Sequence, residues 1–323
     1  DRDAVALPEA IEDASLARVD VVDAGFLEEP RECPPAELRD LRYEMSPASG
    51  FGLGLFRFFP RHFNSILVVY TTNCKRGERH GALRALRGIL INMETRYDWG
   101  PCPYGMSAKH EVNAFACERL DGAAYERALA DGWRRSGPVL YRNRCAACDA
   151  CVPIRVDAAA LEATKGQRRA IRANADVTVS LEERAFSAED YALMKRYLLA
   201  RHREEAESLG EAEYRKAYVE SPVEGAIARY RTADGRLVAA GYLDLLPEGL
   251  SSVYFAFDPD ESRRSLGVFS VFAEARIARE LGKRWYYLGF WVACCRKMAY
   301  KAGFRPHEIA RGGVWLAPRD EGA

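Results

Sequence analysis

Residues 225–258 read GAIARYRTADGRLVAAGYLDLLPEGLSSVYFAFD, and the fold depends on how this stretch pairs with itself. The runs GAIARYRT and RLVAAGYLDLL are rich in residues that favour strands, and Asp234-Gly235 between them supplies the turn of a hairpin. A third run, LSSVYFAFD, continues the pattern. Three antiparallel strands in succession are therefore expected.

Working downstream, LGVFSVFAEARIARELG has helical periodicity and ends on Gly282, a residue suited to a helix C-terminus. The apolar run WYYLGF reads as a strand, CRKMAYKAGF as a helix, and a last strand is expected near GGVW. Upstream, Ser187 and Asp190 before YALMKRYLLARH fit a capping box at the start of a long helix. Helix, three antiparallel strands, helix, strand, helix, strand is the order of a GNAT-type acyltransferase domain. The expectation is thus an α+β protein: a GNAT-like domain over 181–323 with a mixed, mostly antiparallel sheet, preceded by a Cys-containing domain. Fold alone does not specify chemistry.

Residues 98–180 form that Cys-rich, basic region, with a Gly- and Pro-flanked loop at DWGPCPYG, a helix over YERALADGW and a basic helix over 159–174. Residues 1–97 read as an extension of unknown role, with an acidic start, a strand-like SILVVY and a helix over HGALRALRGILINM. The 323 residues, 48% hydrophobic and 29% charged, suit two soluble domains. No run of eighteen apolar residues is present, and the first residues lack the basic start and apolar core of a secretory signal, so a cytoplasmic protein with no membrane partner is expected.

The formal net charge of zero conceals a strong asymmetry. Residues 1–40 hold twelve acids and four bases, whereas residues 132–172 hold nine bases and three acids. Local charge of this kind either binds polyanions or is a solvated face. Nine cysteines without an export signal argue for reduced thiols, with Cys33, Cys74 and Cys117 acting as small buried hydrophobes and Cys294-Cys295 as packing. Cys145, Cys148 and Cys151 recur every third residue and, with Cys102, could supply four thiolates to zinc or an iron-sulfur cluster, with nearby arginines lowering the thiol pKa values. The alternative is a set of reduced structural thiols.

Three blocks carry a more specific signal: YYLGFWVACCRKMAYKAGFRPHE, GWRRSGPVLYRNRCAACDACVPIRV and CPYG. They resemble the signature blocks of the aminoacyl-tRNA-protein transferases, the enzymes of N-terminal degradation signalling (the N-degron pathway), and the resemblance runs from about Cys102 to Trp315. In that family the usual forms are Tyr-Leu-Gly-Tyr-Trp with Lys-Met-x-Tyr-Lys and Arg-Pro-x-Glu, then Gly-Phe/Trp-Arg-Arg-Ser-Gly before a Cys-rich run ending Pro-x-Arg, and a Cys-Pro-Tyr loop. The resemblance implies transfer of an amino acid from its ester on charged tRNA to the α-amino group of a protein beginning with Asp or Glu. The Cys-rich block and the turn Arg263-Arg264-Ser265-Leu266-Gly267 look closer to the bacterial leucyl branch than to the arginyl one. Eukaryotic relatives carry a Cys-x-x-Cys plus Cys-Cys set linked to iron-sulfur binding; here Gly105 stands in the place of the second cysteine.

The chemistry asks little of the protein. An aminoacyl ester is already activated and needs no cofactor, and an α-amine of pKa roughly 7.7–8.0 is about a tenth to a fifth neutral at pH 7. What remains is positioning and recognition. For the tRNA, Arg134, Arg135, Arg168 and Arg169 offer phosphate contacts, and Trp133, Tyr141 and Tyr104 offer rings for the single-stranded 3′ end. For the acceptor carboxylate, Lys301 and Arg305 are the leading cations, with Arg168 or Arg169 as competitors and a helix-ending role as the alternative for Lys301. Tyr287 and Trp291 are placed where donor and acceptor meet in a GNAT fold, or else in its core. Glu308 and Asp244 are candidate bases, or else partners in ion pairs. Two rivals remain open: an acetyl-CoA-dependent N-acetyltransferase, against which Phe269 stands where the pyrophosphate turn needs a small residue, and a non-enzymatic tRNA-binding protein with a metal knuckle.

Overall fold

The structure, a computed structural model, describes residues 67–69, 96–107, 109–201, 207 and 209–317. The acidic start, the helix expected over HGALRALRGILINM, and Cys33 and Cys74 lie outside the described residues.

The first sheet contains β1 (Leu67–Val69), β2 (Tyr97–Asp98), β3 (Glu111–Cys117), β4 (Trp133–Ser136) and β5 (Val139–Asn143), in the order β1-β3-β5-β4 with β2 on β3. Gly137 at φ +53° turns β4 into β5. Helix α1 (Gly122–Ala130) starts on Asp121, whose side chain accepts the Ala124 N–H, and buries Tyr125 and Leu129 against Phe115, Trp133 and Leu140.

The second sheet is built from β6 (Val152–Asp157), helix α2 (Lys165–Ala173), β7 (Thr178–Glu183), helix α3 (Ala188–Arg201), β8 (Gly225–Arg231), β9 (Leu237–Leu245), β10 (Gly249–Phe257), helix α4 (Leu266–Glu280), β11 (Trp285–Trp291), the short helix α5 (Arg296–Ala299), β12 (His307–Arg311) and β13 (Val314–Leu316). Its strand order is β13-β12-β6-β11-β10-β9-β8-β7, antiparallel everywhere except between β10 and β11. This is the GNAT-like α+β sheet expected from residues 225–258. Parallel neighbours need a crossover, and α4 provides it.

Two features depart from the sequence reading. Strand β6 comes from the Cys-rich region yet lies between β11 and β12, so the sheets do not divide at residue 180. The cause is burial on both faces: Val152, Pro153, Ile154 and Val156 are all buried, and so short an apolar run beside cysteines carries no periodicity that assigns it to a sheet. The capping box expected at Ser187 is half formed. Ser187 accepts the Asp190 N–H at 3.4 Å, but the Asp190 carboxylate turns away to Arg229 on β8, at 2.6 Å. The complete box caps α2, where Thr164 and Gln167 exchange bonds at 3.3 and 2.8 Å.

The parallel pair opens into a cleft. Strands β10 and β11 pair only over Gly249–Ser251 and Trp285–Tyr287. Beyond that, β10 shifts register between Ser252 and Tyr254, and β11 shifts between Tyr287 and Phe290. Gly289 makes the second shift at φ +80°, a conformation that side-chain-bearing residues rarely adopt.

Candidate active site

The residues that line the cleft include Val253, Phe255 and Phe257 of β10, Val271 of α4 and Leu288 of β11, together with Tyr104, Tyr141, Arg134 and Lys301. Its lining is therefore both apolar and, at Arg134 and Lys301, cationic.

The cationic part is organised around the β11 bulge. Lys301, 3% exposed, donates from Nζ to the carbonyls of Leu288 at 2.9 Å and Phe290 at 2.8 Å. Arg134, 5% exposed, donates to the Gly289 carbonyl between them at 2.9 Å and to the Trp133 carbonyl at 2.7 Å. An ammonium has three N–H donors, so one on Lys301 remains after these two bonds. The Arg134 Nε is buried without a partner. Burial, and then the neighbouring Arg134 charge, pull Lys301 down to about 7; burial likewise lowers Arg134. Among the other groups that act electrostatically on these two cations, the largest contributions come from tyrosines on Arg134 and from the thiols of Cys151 and Cys295 on Lys301. Two buried cations with such neighbours favour an anionic ligand.

Of the residues singled out by sequence, Tyr104, Tyr141, Arg134, Arg135 and Lys301 come together here, Arg135 with its guanidinium held by Asp244. The others stand elsewhere, for identifiable reasons. Asp244 is fully buried and bonded by Arg135 at 2.7 and 2.5 Å and by Arg184 at 2.9 Å. It is the centre of an ion triad rather than a base, and Arg135 is not available to a phosphate. Tyr287 points away from the cleft because successive residues of a strand alternate faces: Tyr286 and Leu288 line it, whereas Tyr287 packs toward α1 and donates to Glu126 at 3.0 Å. Trp291 lies past the Gly289 bulge, half-buried against the main core. Glu308 is paired with Arg155 at 2.6 Å, and that guanidinium stacks 3.6 Å from the Trp285 ring. Trp133 is buried in the core of the first sheet, closed to a nucleobase. Arg305 is exposed and is not among the cleft residues.

The basic block is thus not one surface. Arg134 and Arg135 are interior, while Lys165, Arg168, Arg169 and Arg172 are exposed on α2. That helix docks beside the cleft: Gln167 donates to the Gly303 carbonyl at 3.0 Å, and Asn174 to the Arg264 carbonyl at 2.7 Å. The turn that holds pyrophosphate in acetyl-CoA enzymes is already occupied by the protein. Arg264 is bonded to Asp176, Glu261 and the Ala173 carbonyl, the Val268 and Phe269 amides donate to the Ser265 carbonyl, and the Phe269 ring packs 6.0 Å from that of Tyr230.

Cys102, Cys145, Cys148 and Cys151 carry free thiols, close enough together that the others add to the raised pKa of Cys145 and of Cys151. At Cys145 and Cys151 the shift is opposite to the expected lowering by arginines: burial, then the other thiols, push Cys151 up to about 12, and burial raises Cys145. Among the described residues, no three His, Cys, Asp or Glu side chains are placed to hold a metal ion. Cys117 is buried and free, as expected of a small hydrophobe, whereas Cys294 is disulfide-bonded rather than simply packed. No helix of the described residues is long and apolar enough to cross a membrane.

Sequence reasoning missed Glu274, Tyr286 and Ser252. Tyr286 and Ser252 line the cleft, and Glu274 lies fully buried behind Tyr286. A glutamate inside the apolar run VFAEARIA was the available signal, since an acid on a core-facing helix position needs a reason.

The strand order, with its one parallel pair opening into a cleft, defines a GNAT-like fold. Family models described as "Arginine-tRNA-protein transferase, N terminus" and "Arginine-tRNA-protein transferase, C terminus" match residues 100–169 and 189–311. An aspartate/glutamate leucyltransferase from Chromobacterium violaceum is 39% identical over 67% of this chain and 89% of its own length. Another from Ruegeria pomeroyi is 38% identical over 68% and 82%. Among solved structures, a GCN5-related N-acetyltransferase from Kribbella flavida is 15% identical over 51% of this chain and 59% of its own, with a TM-score of 0.30. The chain belongs to the aminoacyl-tRNA-protein transferase family and is an aminoacyltransferase.

Proposed function

We propose that this protein transfers leucine from leucyl-tRNA to the α-amino group of proteins that begin with Asp or Glu. The observation that carries the reading is a cleft lined both by apolar side chains and by the buried cations Lys301 and Arg134. Val253, Phe255, Val271 and Leu288 offer the apolar walls that a leucyl side chain needs; an arginyl donor would need a buried acid facing it. Lys301 and Arg134 offer the fixed positive charge that an acidic acceptor side chain needs.

In this reading Tyr104 and Tyr141 stack on the unpaired 3′ end of the tRNA, and Arg168, Arg169 and their neighbours on α2 meet its phosphates. The neutral α-amine attacks the ester carbonyl, the new C–N bond forms, and the ribose oxygen leaves. The gain comes from holding amine and ester together, so no cofactor is needed for the step. The product bears an N-terminal leucine in place of an acidic residue, which is the form expected of a degradation mark. The four thiols act as packing beside the cationic floor.

Purified protein mixed with leucyl-tRNA or arginyl-tRNA and with peptides beginning Asp, Glu or Ala tests this directly by peptide mass. Addition of leucine to the Asp and Glu peptides alone is expected. Addition of arginine, or equal modification of the Ala peptide, would overturn the donor or the acceptor assignment.

A further inference from the structure

Glu274 sits in the middle of α4 with no exposure to solvent. Its carboxylate accepts from the Tyr230 hydroxyl of β8 at 2.9 Å and from the Tyr286 hydroxyl of β11. Space for it is made by Gly241 on β9, where a Cβ would collide with the carboxylate. Among the described residues, no lysine, arginine or histidine hydrogen-bonds it. The charged and titratable groups around this unit are Tyr230, Tyr286, Tyr300 and, on α4 itself, Arg276, whose side chain is half exposed and paired with Glu280. Burial raises Glu274 to about 7, opposed by the two tyrosine bonds. An unpaired acid in the core destabilises the fold unless it is used.

What distinguishes it from a structural buried acid is its route outward. Tyr286 lines the cleft, and the Ser252 hydroxyl lies beside it, also on the cleft wall, at the place where β10 breaks register. A line of hydroxyls thus runs from the carboxylate to the opening between the parallel strands.

Resting on the transfer reading above, we propose that Glu274, Tyr286 and Ser252 form a proton relay for aminoacyl transfer. When the amine has bonded to the ester carbon, its surplus proton passes to the Ser252 oxygen, the Ser252 proton to Tyr286, and the Tyr286 proton to the Glu274 carboxylate. As the C–O bond breaks, the same line runs in reverse and delivers a proton to the ribose 3′-oxygen. The net result is movement of one proton from nitrogen to oxygen, with every relay group restored. Ser252 and Tyr286 are the groups that face the substrate; Glu274 is a positioning residue that acts through Tyr286.

The test is the pH dependence of kcat for leucyl transfer to a saturating acidic peptide, measured for wild type, Glu274→Gln, Tyr286→Phe and Tyr230→Phe, with unfolding curves for each. Glu274→Gln and Tyr286→Phe are expected to lower kcat by about 100-fold with little change in acceptor KM or tRNA binding, and to flatten the rise of kcat with pH. Tyr230→Phe removes a bond that holds the Glu274 pKa down, so the rise should move to higher pH, which a merely structural role would not produce. If Glu274→Gln fails to fold, the two tyrosine variants decide. Folded Tyr286→Phe and Tyr230→Phe with wild-type kcat and pH profile overturn the relay while leaving the transfer assignment intact. Failure of the wild type to modify any peptide overturns the transfer assignment instead.

Discussion

Asp244→Asn separates a structural acid from a catalytic one. The wild-type carboxylate has no exposed side-chain surface and neutralises Arg135, whose side chain is 1% exposed, while also bonding Arg184, at 5%. The amide keeps the size but loses the charge and presents an NH2 to one of two guanidiniums that have only N–H to offer. Two buried cations then face each other without a counter-charge. Removing one partner of a buried ion pair costs about 3–5 kcal/mol, and a domain pair of this size shifts by roughly 2–4 °C per kcal/mol, so Tm should fall by about 10 °C. Thermal unfolding followed by circular dichroism reads this, and urea unfolding gives the free energy. Transfer activity per folded molecule, measured well below the lowered Tm, should stay within a few-fold of wild type, because Asp244 does not line the cleft. Unchanged stability together with a 100-fold loss of kcat would refute the structural assignment and restore Asp244 as a base.

Lys301→Met should weaken acidic acceptors far more than it changes tRNA affinity, and the discrimination between Asp and Ala peptides should fall by at least tenfold; Lys301→Arg should retain part of it. Because the folded-state pKa of Lys301 is depressed to about 7 from an unfolded value of 10.5, the unfolded chain binds the extra proton between these values. Wild-type stability should therefore rise by a few kcal/mol as pH climbs from 7 to 10.5, and fall again on return to 7, a rise that Lys301→Met abolishes in urea titrations. Binding of an acidic peptide, followed by fluorescence anisotropy without tRNA, should weaken as pH rises through about 7 and Lys301 loses its charge. Thr164→Ala removes half of the α2 capping box and should cost about 1 kcal/mol in urea unfolding. Arg168→Ala with Arg169→Ala should reduce tRNA affinity in proportion for all tRNAs and flatten its salt dependence, whereas Arg305→Ala should leave acceptor KM unchanged.

The order of strands and helices after Pro222 was legible because each element there is amphipathic or apolar in a way its neighbours are not, and Asp234-Gly235 fixed the hairpin. The placement of β6 was not, since pairing partners 130 residues away leave no local trace. Similar reasoning applies to the site. Lys301 and Tyr104 stood out through the motifs around them, but Asp244, Arg135 and Glu308 carry the same residue types as a catalytic set and differ only in what they are bonded to. Charge identity is written in the sequence; whether a charge is already neutralised is decided by the register of β8, β9 and β12. Strand parity also moved Tyr287 off the cleft and put Tyr286 on it, a distinction of one residue that only the paired sheet resolves.

The bulge at Gly289 constrains how this enzyme can diverge. Three successive carbonyls, of Leu288, Gly289 and Phe290, are held by Lys301 and Arg134, so the cations proposed to meet an acceptor also hold the β11 bulge in place. A lineage drifting toward a neutral or basic acceptor could not simply exchange these two residues for apolar or acidic ones, because the bulge would lose its support with them. On the proposed reading, a new acceptor preference would have to arise first on cleft residues other than these two cations, and activity on acidic acceptors should persist as a residual activity in such descendants.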